Sequence, residues 1–370
     1  MDLEEAREAI REIDREMTAL FERRMRAAEA IAAYKKEHGL PITDPEQEKR
    51  VLERNTALLE DPALAGYYRA FQTGVMEVSK RYQRRLNEGM RVSYAGVEGA
   101  FAHIAARRIF PDANPVSVPS FRAAYDAVVR GESDAAVIPL ENSTAGEVGE
   151  VMDLMLEGPL SVTGVYTLPV SQNLLGVPGA SLSSIRRAVS HPQALSQCAP
   201  YLASHGITPV PAGNTAEAAR SVAENKDPAT AAVASLETAE LYGLTVLERD
   251  INDQSDNVTK FAVFTPGESR VSPRRNQFIL LFTVPDVAGA LSGAISVIGS
   301  HGFNMKTLRS RPVRDRAWQY YFYTVIEGDE TSEEGRAMLE ALSERCERIR
   351  IAGHYEREID LGGKASGTES

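Results

Sequence analysis

Residues 2–38 contain no glycine and no proline, and their apolar positions recur at helical spacing. At 100° per residue Ile10, Ile13, Met17, Leu20, Ala28 and Ile31 fall within roughly 40° of Arg24, and Lys35 falls about 20° from it. Two cations inside an apolar stripe would each cost several kcal/mol if buried unpaired. Two readings are open. Either a dianion lies between this helix and its neighbours, or both side chains snorkel, with stems on apolar surface and heads in water.

The pattern predicts two more helices before residue 90. Asp44 as N-cap, Pro45 at the first helical position and Gln47 closing a capping box mark one start, and on that helix Glu48 shares a face with Leu52, Asn55 and Leu59. Asp61-Pro62 starts the other, which ends near Gly89 and places Ser79 among Tyr68, Phe71, Val75, Val78, Tyr82 and Leu86, with Gln83 at the edge. Arg7 lies about 100° around the first helix from Arg24, so it is directed toward a different pocket, such as a second copy's. A first helix of some 37 residues spans roughly 55 Å, longer than a three-helix domain covers alone, and predicts dimerisation.

After Gly89 short apolar runs alternate with helical ones. Val92–Ala95, Val116–Val118, Ala135–Ile138, Val162–Val170, Arg187–Ser190, Ala231–Ala234, Leu244–Leu247 and Phe261–Phe264 read as strands, the alternation of an α/β sheet. About 180 residues of it suit two lobes with a cleft where strand ends meet helix starts. From Asn276 the order becomes strand to Pro285, helix Val287–His301, strands Met305–Val313 and Trp318–Glu327, helix Ser332–Leu342 and strand Ile349–His354, a βαββαβ pattern. The boundaries are 1–89, 91–268 and 274–356, with 357–370 read as a disordered tail.

Composition narrows the chemistry. A formal charge of -11 argues against a nucleic-acid partner, whose phosphates need basic surface. Cys198 and Cys346 are too few for a disulfide framework or a structural zinc site, and the six histidines show no ligand spacing, so no metal is expected. The sequence reads without a signal peptide or an apolar run of membrane-spanning length, and a reducing cytoplasm is the default, with no membrane partner.

Four clusters sit at strand ends. Ile138-Pro139-Leu140-Glu141-Asn142-Ser143-Thr144-Ala145-Gly146 and Ser190-His191-Pro192-Gln193-Ala194-Leu195 each read equally as capped helix starts. Asp256-Asn257-Val258-Thr259-Lys260-Phe261 enters the last strand of the region, and Tyr94-Ala95-Gly96-Val97-Glu98-Gly99-Ala100-Phe101 is a glycine turn into a helix that lacks a phosphate-loop signature.

Arg7, Arg24, Lys35, Asp44, Glu48, Ser79 and Gln83 resemble the site pattern of the all-helical chorismate mutases over the first ninety or so residues. The resemblance implies a reaction that needs no cofactor, in an intertwined dimer in which Arg7 of one chain and Arg24 of the other clamp carboxylates. Lys35 and Gln83 would face an ether oxygen and Glu48 a ring hydroxyl, with Asp44 and Ser79 also binding substrate. Gln47 stands where that family usually has an arginine.

The four clusters, in this order, resemble prephenate dehydratase over residues 91 to 268, which implies conversion of prephenate to phenylpyruvate. The family's threonine maps to Thr259, with Asn142, Ser143 and Lys260 holding the carboxylate that stays. Lys260 stands in the place of an arginine, Val165 in that of a glutamate and Gln172 in that of a histidine.

Gly289-Ala290-Leu291, Asn304 and Ser310-Arg311-Pro312 resemble the ACT regulatory domain of those dehydratases, implying a phenylalanine site between protomers, with Arg309 in place of a glutamate. The whole resembles a bifunctional, feedback-inhibited enzyme, dimeric or tetrameric. Two other readings stay open: a dehydratase whose mutase domain is weak or inactive, and an amino-acid-sensing binding protein with decayed catalytic sites.

Overall fold

The computed structural model describes residues 2–253, 257–267, 276–313 and 319–362. The chain divides into two compact units, Met1–Arg91 and Val92–Ser370.

The first unit is helical: α1 (Leu3–Glu37), α2 (Pro45–Thr56) and α3 (Ala65–Glu88). Asp2 and Glu5 form a reciprocal capping box at the start of α1, Asp2 Oδ1 accepting from Glu5 N at 2.8 Å and Glu5 Oε2 from Asp2 N at 2.9 Å. Packing of α1 is confined to its second half, where Ala28 and Ala32 are buried. The first half of the expected stripe is uncovered: Ile10, Ile13 and Leu20 are all more than half exposed. On α3 the buried face is Gln72, Met76, Ser79 and Gln83, whereas Phe71 and Leu86, expected on that face, are exposed. The buried stripe is rotated by roughly a quarter turn from the apolar one and is mostly polar.

In the second unit β1 (Arg91–Ala95), β2 (Asn114–Val118), β3 (Ala135–Asn142), the short β4 (Gly146–Glu147) and β5 (Leu160–Pro169) alternate with α4 (Phe101–Ile109), α5 (Phe121–Val129) and α6 (Gly149–Glu157). The chain then builds a second sheet from β6 (Asn173–Gly176), β7 (Arg187–Ser190), β8 (Thr208–Pro211), β9 (Thr230–Ala234) and β10 (Thr245–Glu248). Its helices are α7 (Pro192–Gln197), α8 (Ala199–Ser204), α9 (Thr215–Asn225) and α10 (Leu236–Tyr242), and its strand order is β10-β6-β9-β7-β8. Next β11 (Val258–Pro266) returns to the first sheet and lies antiparallel between β3 and β5. Two lobes therefore join at the start of β11 and the end of β5, the switch point where an α/β cleft forms.

The βαββαβ pattern is β12 (Gln277–Thr283), α11 (Ala290–Ser300), β13 (Asn304–Pro312), β14 (Tyr320–Glu327), α12 (Glu333–Ser343) and β15 (Arg348–Tyr355). Trp318, expected to open β14, lies outside the described residues. These strands continue the first lobe's sheet in the order β13-β14-β12-β15-β5-β11-β3-β1-β2. The junction is Gly353 against Val162, where a Cβ on residue 353 would come 2.1 Å from the Val162 carbonyl oxygen, so only glycine allows the approach. Part of the expected tail is ordered: β16 (Glu358–Asp360) pairs in parallel with β5, Ile359 opposite Tyr166, and residues 363–370 lie outside the described set. Among the described residues no helix is long and apolar enough to cross a membrane.

Candidate active sites

In the helical unit the polar residues of α3 meet the cations of α1. Arg24 Nη1 donates to Ser79 Oγ and, at 3.4 Å, to the Val75 carbonyl, while Ser79 donates to Val75 O at 3.0 Å. Burial draws the Arg24 guanidinium below its ordinary pKa. Lys35 is half-buried in the last turn of α1 and donates to Ile42 O at 2.6 Å. Gln83 is buried with no partner for Oε1 among the described residues, so its amide retains unspent hydrogen-bonding capacity. Asp44 is exposed, and its carboxylate caps α2 by accepting from Gln47 N at 3.0 Å. Arg7 pairs with Glu4 on the exposed face at 2.6 Å, about 25 Å along α1 from Arg24.

One residue of this site is not evident in the sequence pattern. Lys80, only 11% exposed, lies 3.0 Å from Glu48 Oε2 and 2.5 Å from Glu77 Oε1. It adds a cation beside Glu48 in a unit whose Gln47 is exposed and uncharged. A lysine next to Ser79 and three before Gln83 was the available signal; a charge on the expected solvent side of α3 concealed it.

In the second unit Asn142, at the end of β3, is the hub. Its Nδ2 donates to Thr259 Oγ1 at 3.0 Å, to Asn257 Oδ1 at 2.7 Å and to Val258 O at 3.3 Å. Its Oδ1 accepts from the backbone of Thr144 and Ala145, an Asx turn that fixes the amide. Ser143 secures the same strand end, its N–H donating to Val258 O and its hydroxyl accepting from Val258 N, at 2.9 and 3.0 Å. Asn257 is buried and donates to Gln197 Oε1 at 3.2 Å. Gln197, Asn257, Thr144, Ser196, Asn252 and Asp253 line a cleft of about 200 Å³. Asp256, the first residue of that cluster, lies outside the described residues. His191 is an N-cap whose Nδ1 accepts from Gln193 N at 3.2 Å.

Lys260, expected to work with Asn142 and Ser143, is placed elsewhere. Thr259 pairs with Asn142 and Lys260 with Glu141, and strand alternation puts the two pairs on opposite faces of the sheet. The Lys260 ammonium is 3.0 Å from Glu358 Oε1 on β16. On that same face Arg309 pairs with Glu141 at 2.5 Å and with Glu147 at 2.8 Å. Tyr323, buried nearby, is held well above its ordinary pKa by burial first and then by Glu141 and Glu358.

The regulatory candidates divide similarly. Asn304, Ser310 and Pro312 fall on the exposed face of β13, whereas Arg311 turns inward, donating from Nε to Tyr321 Oη at 3.2 Å with Asp153 Oδ1 3.7 Å away. Gly289, at φ +83°, is the N-cap of α11, which begins at Ala290 instead of Val287, with Leu291 in its first turn.

Separate helical and α/β units with polar, ligand-ready interiors, continued by a small βαββαβ domain, define a multidomain enzyme with two distinct candidate sites. The comparisons agree: residues 6–84 match chorismate mutase type II, 92–269 prephenate dehydratase and 278–344 the ACT domain. A bifunctional chorismate mutase/prephenate dehydratase of Escherichia coli (strain K12) is 31% identical over 368 residues, 95% of each chain. Among solved structures, a chain described as a novel type of quorum quenching acylase is 30% identical with a TM-score of 0.67, covering 72% of this chain and 97% of that one. The prephenate dehydratase of Arthrobacter aurescens in complex with L-Phe is 28% identical with a TM-score of 0.66, covering 72% and 90%. The chain belongs to the bifunctional chorismate mutase/prephenate dehydratase family.

Proposed function

We propose that the chain is a bifunctional enzyme of phenylalanine biosynthesis, rearranging chorismate to prephenate in its helical unit and converting prephenate to phenylpyruvate in the second, with phenylalanine as feedback inhibitor. The observation that carries the reading is the Asn142–Thr259–Asn257 knot at the lobe junction, beside the cleft.

A Claisen rearrangement needs no nucleophile and no proton transfer. It needs a dicarboxylate held in a compact conformer and donors at an ether oxygen that gains negative charge. Arg24 and an Arg7 from a second chain supply carboxylate clamps, Lys35 and the unspent amide of Gln83 face the ether oxygen, and Glu48 takes the ring hydroxyl. A dianion beside the Glu48 carboxylate would be repelled, and Lys80 offsets that charge in place of the arginine that Gln47 lacks.

In the second reaction the electron pair of the departing carboxylate's C–C bond moves into the ring, carbon dioxide leaves, and the ring C–O bond breaks with its electron pair on oxygen; the hydroxide takes one proton from solvent and leaves as water. Thr259 Oγ1 accepts from Asn142, which turns its own O–H toward a further acceptor; the leaving hydroxyl is that acceptor. Aromatisation drives the step, and a neutral donor assists it without holding the departing carboxylate in the ground state. Asn142 and Ser143, whose polar groups are engaged at the strand end, act on the retained pyruvyl end by fixing the edge of the cleft, and Lys260 lies behind the sheet.

Phenylalanine inhibition draws support from the L-Phe complex of the Arthrobacter aurescens relative and from the exposed Gly289, Asn304 and Ser310. The acylase neighbour favours a second reading, acyl hydrolysis at Thr259, but the donor at that hydroxyl is an amide and not a general base. Chorismate added to purified protein should yield prephenate and then phenylpyruvate. Failure to form phenylpyruvate, or release of a carboxylic acid from an N-acyl substrate instead, overturns the reading.

A further inference from the structure

Arg309 belongs to β13, yet both of its ion pairs leave the βαββαβ domain for the strands that carry the dehydratase site. Glu141 and Glu147 stand directly opposite each other in the β3–β4 hairpin, and Asn142, which reaches Thr259, follows Glu141. Like charges facing across a strand pair destabilise it. One planar guanidinium between the two carboxylates, Nη2 on Glu141 and Nη1 on Glu147, converts that repulsion into a bridge, which a point-charge ammonium does less well. All three side chains are at most 34% exposed, so salt screens the bridge less than it would a surface pair.

The next inward residue of β13 extends the grip. Arg311 lies over Gly149 at the start of α6, where a Cβ would come 2.3 Å from its guanidinium, and Tyr321 donates at 2.8 Å to Asp153 of the same helix. Alternate residues of β13 thus clasp the hairpin and the helix that follows it, while Asn304, Ser310 and Pro312 occupy the strand's other face.

We propose that Arg309 is a positioning residue of the dehydratase site: it holds the β3–β4 hairpin so that Asn142 stays on Thr259, and it is the contact through which displacement of β13 reaches that site. This rests on the dehydratase reading. A ligand on the exposed face of β13 acts on the hairpin by way of the same strand, with no intervening element.

The test uses the full chain and Arg309→Gln, which leaves Glu141 and Glu147 opposed. Hydrogen exchange of the peptide spanning 138–148 should accelerate about tenfold, and dehydratase kcat should fall about tenfold with KM within twofold, because a misplaced Asn142 is felt in the transition state. Mutase turnover, in the separate helical unit, should be unchanged. Arg309→Gln combined with Glu147→Gln removes the repulsion and should recover part of kcat, which a general loss of folding would not. Unchanged hairpin exchange in Arg309→Gln overturns the inference whatever the activity. Accelerated exchange with unchanged kcat confines Arg309 to stability and also overturns it. A wild-type chain inactive on prephenate overturns the dehydratase reading and, with it, the role assigned here.

Discussion

Asn142 spends its side chain completely: Oδ1 is held by two backbone N–H groups, so Nδ2 has a fixed direction toward Thr259. The Thr259 hydroxyl is therefore oriented before any ligand arrives. Thr259→Val keeps the shape and deletes the donor. Dehydratase kcat should drop about 10²–10³-fold, the usual cost of one pre-oriented donor, with prephenate accumulating from chorismate; near-normal phenylpyruvate formation would refute the assignment. Lys80 is the corresponding residue of the helical unit. Burial alone lowers its pKa, but the hydrogen bonds to Glu77 and Glu48 outweigh burial and hold it above the ordinary lysine range. Its contribution to stability is then fully present below the unfolded lysine pKa, about 10.4, and is lost only as pH rises through the higher folded value. Lys80→Met should cut mutase kcat/KM about tenfold, roughly 1.4 kcal/mol, and lower Tm by an amount that stays constant from pH 6 to 9. A Tm difference that shrinks inside that window would show Lys80 titrating there.

Elements were legible where one face is buried and the other wet. The strand at Arg187–Ser190 matches its expected limits, whereas β13 alternates with Arg309 and Arg311 inward and Leu308 outward, so residue type does not mark its faces. Four strands escaped, the short β4 and β16 and two longer ones. β6 is four buried residues without alternation, and β8 is an edge strand bracketed by polar and proline positions, so neither carries a period-two signal. The face of α3 was misjudged because Gln72, Ser79 and Gln83 put polar groups on the buried face, where a core would put apolar ones. Lys260 and Arg311 lie on the opposite face from the neighbours they were grouped with, because a motif read as a contiguous string ignores that adjacent strand residues point to opposite faces. The same attention to backbone decides which substitution tests Gly289. A Cβ there meets nothing within 4 Å, but φ is +83°, so most side chains would strain the backbone before they reached a ligand. Gly289→Asn tolerates that conformation. It should leave Tm and basal dehydratase turnover intact while raising the phenylalanine concentration needed for half-inhibition at least tenfold; unchanged inhibition would remove Gly289 from the effector site.

At the scale of the molecule, the helical unit is unfinished as a single chain. Ile10, Ile13, Met17 and Leu20 lie exposed along the first half of α1, and full burial of each such side chain is worth roughly 1.5–3 kcal/mol. Arg7 sits on this same uncovered half, too far along α1 to reach the pocket of its own Arg24. A second chain running antiparallel would cover the stripe and deliver Arg7 to the opposite site, so stability and catalysis call for the same partner. The consequence is testable with two inactive proteins. An Arg7→Ala chain retains Lys35 but cannot complete its partner's site; a Lys35→Ala chain does the reverse. In a mixed two-fold dimer one site draws Arg7 and Lys35 from the two intact positions and the other lacks both. Equal mixing with free exchange should therefore restore about a quarter of wild-type mutase activity per chain, since about half the dimers are mixed and each has one working site. Dehydratase activity, housed in the other unit, should stay at its starting level throughout. If subunit exchange is demonstrated by mass and mutase activity remains at the level of the separate variants, Arg7 does not act across the interface, and the exposed stripe of α1 serves association alone.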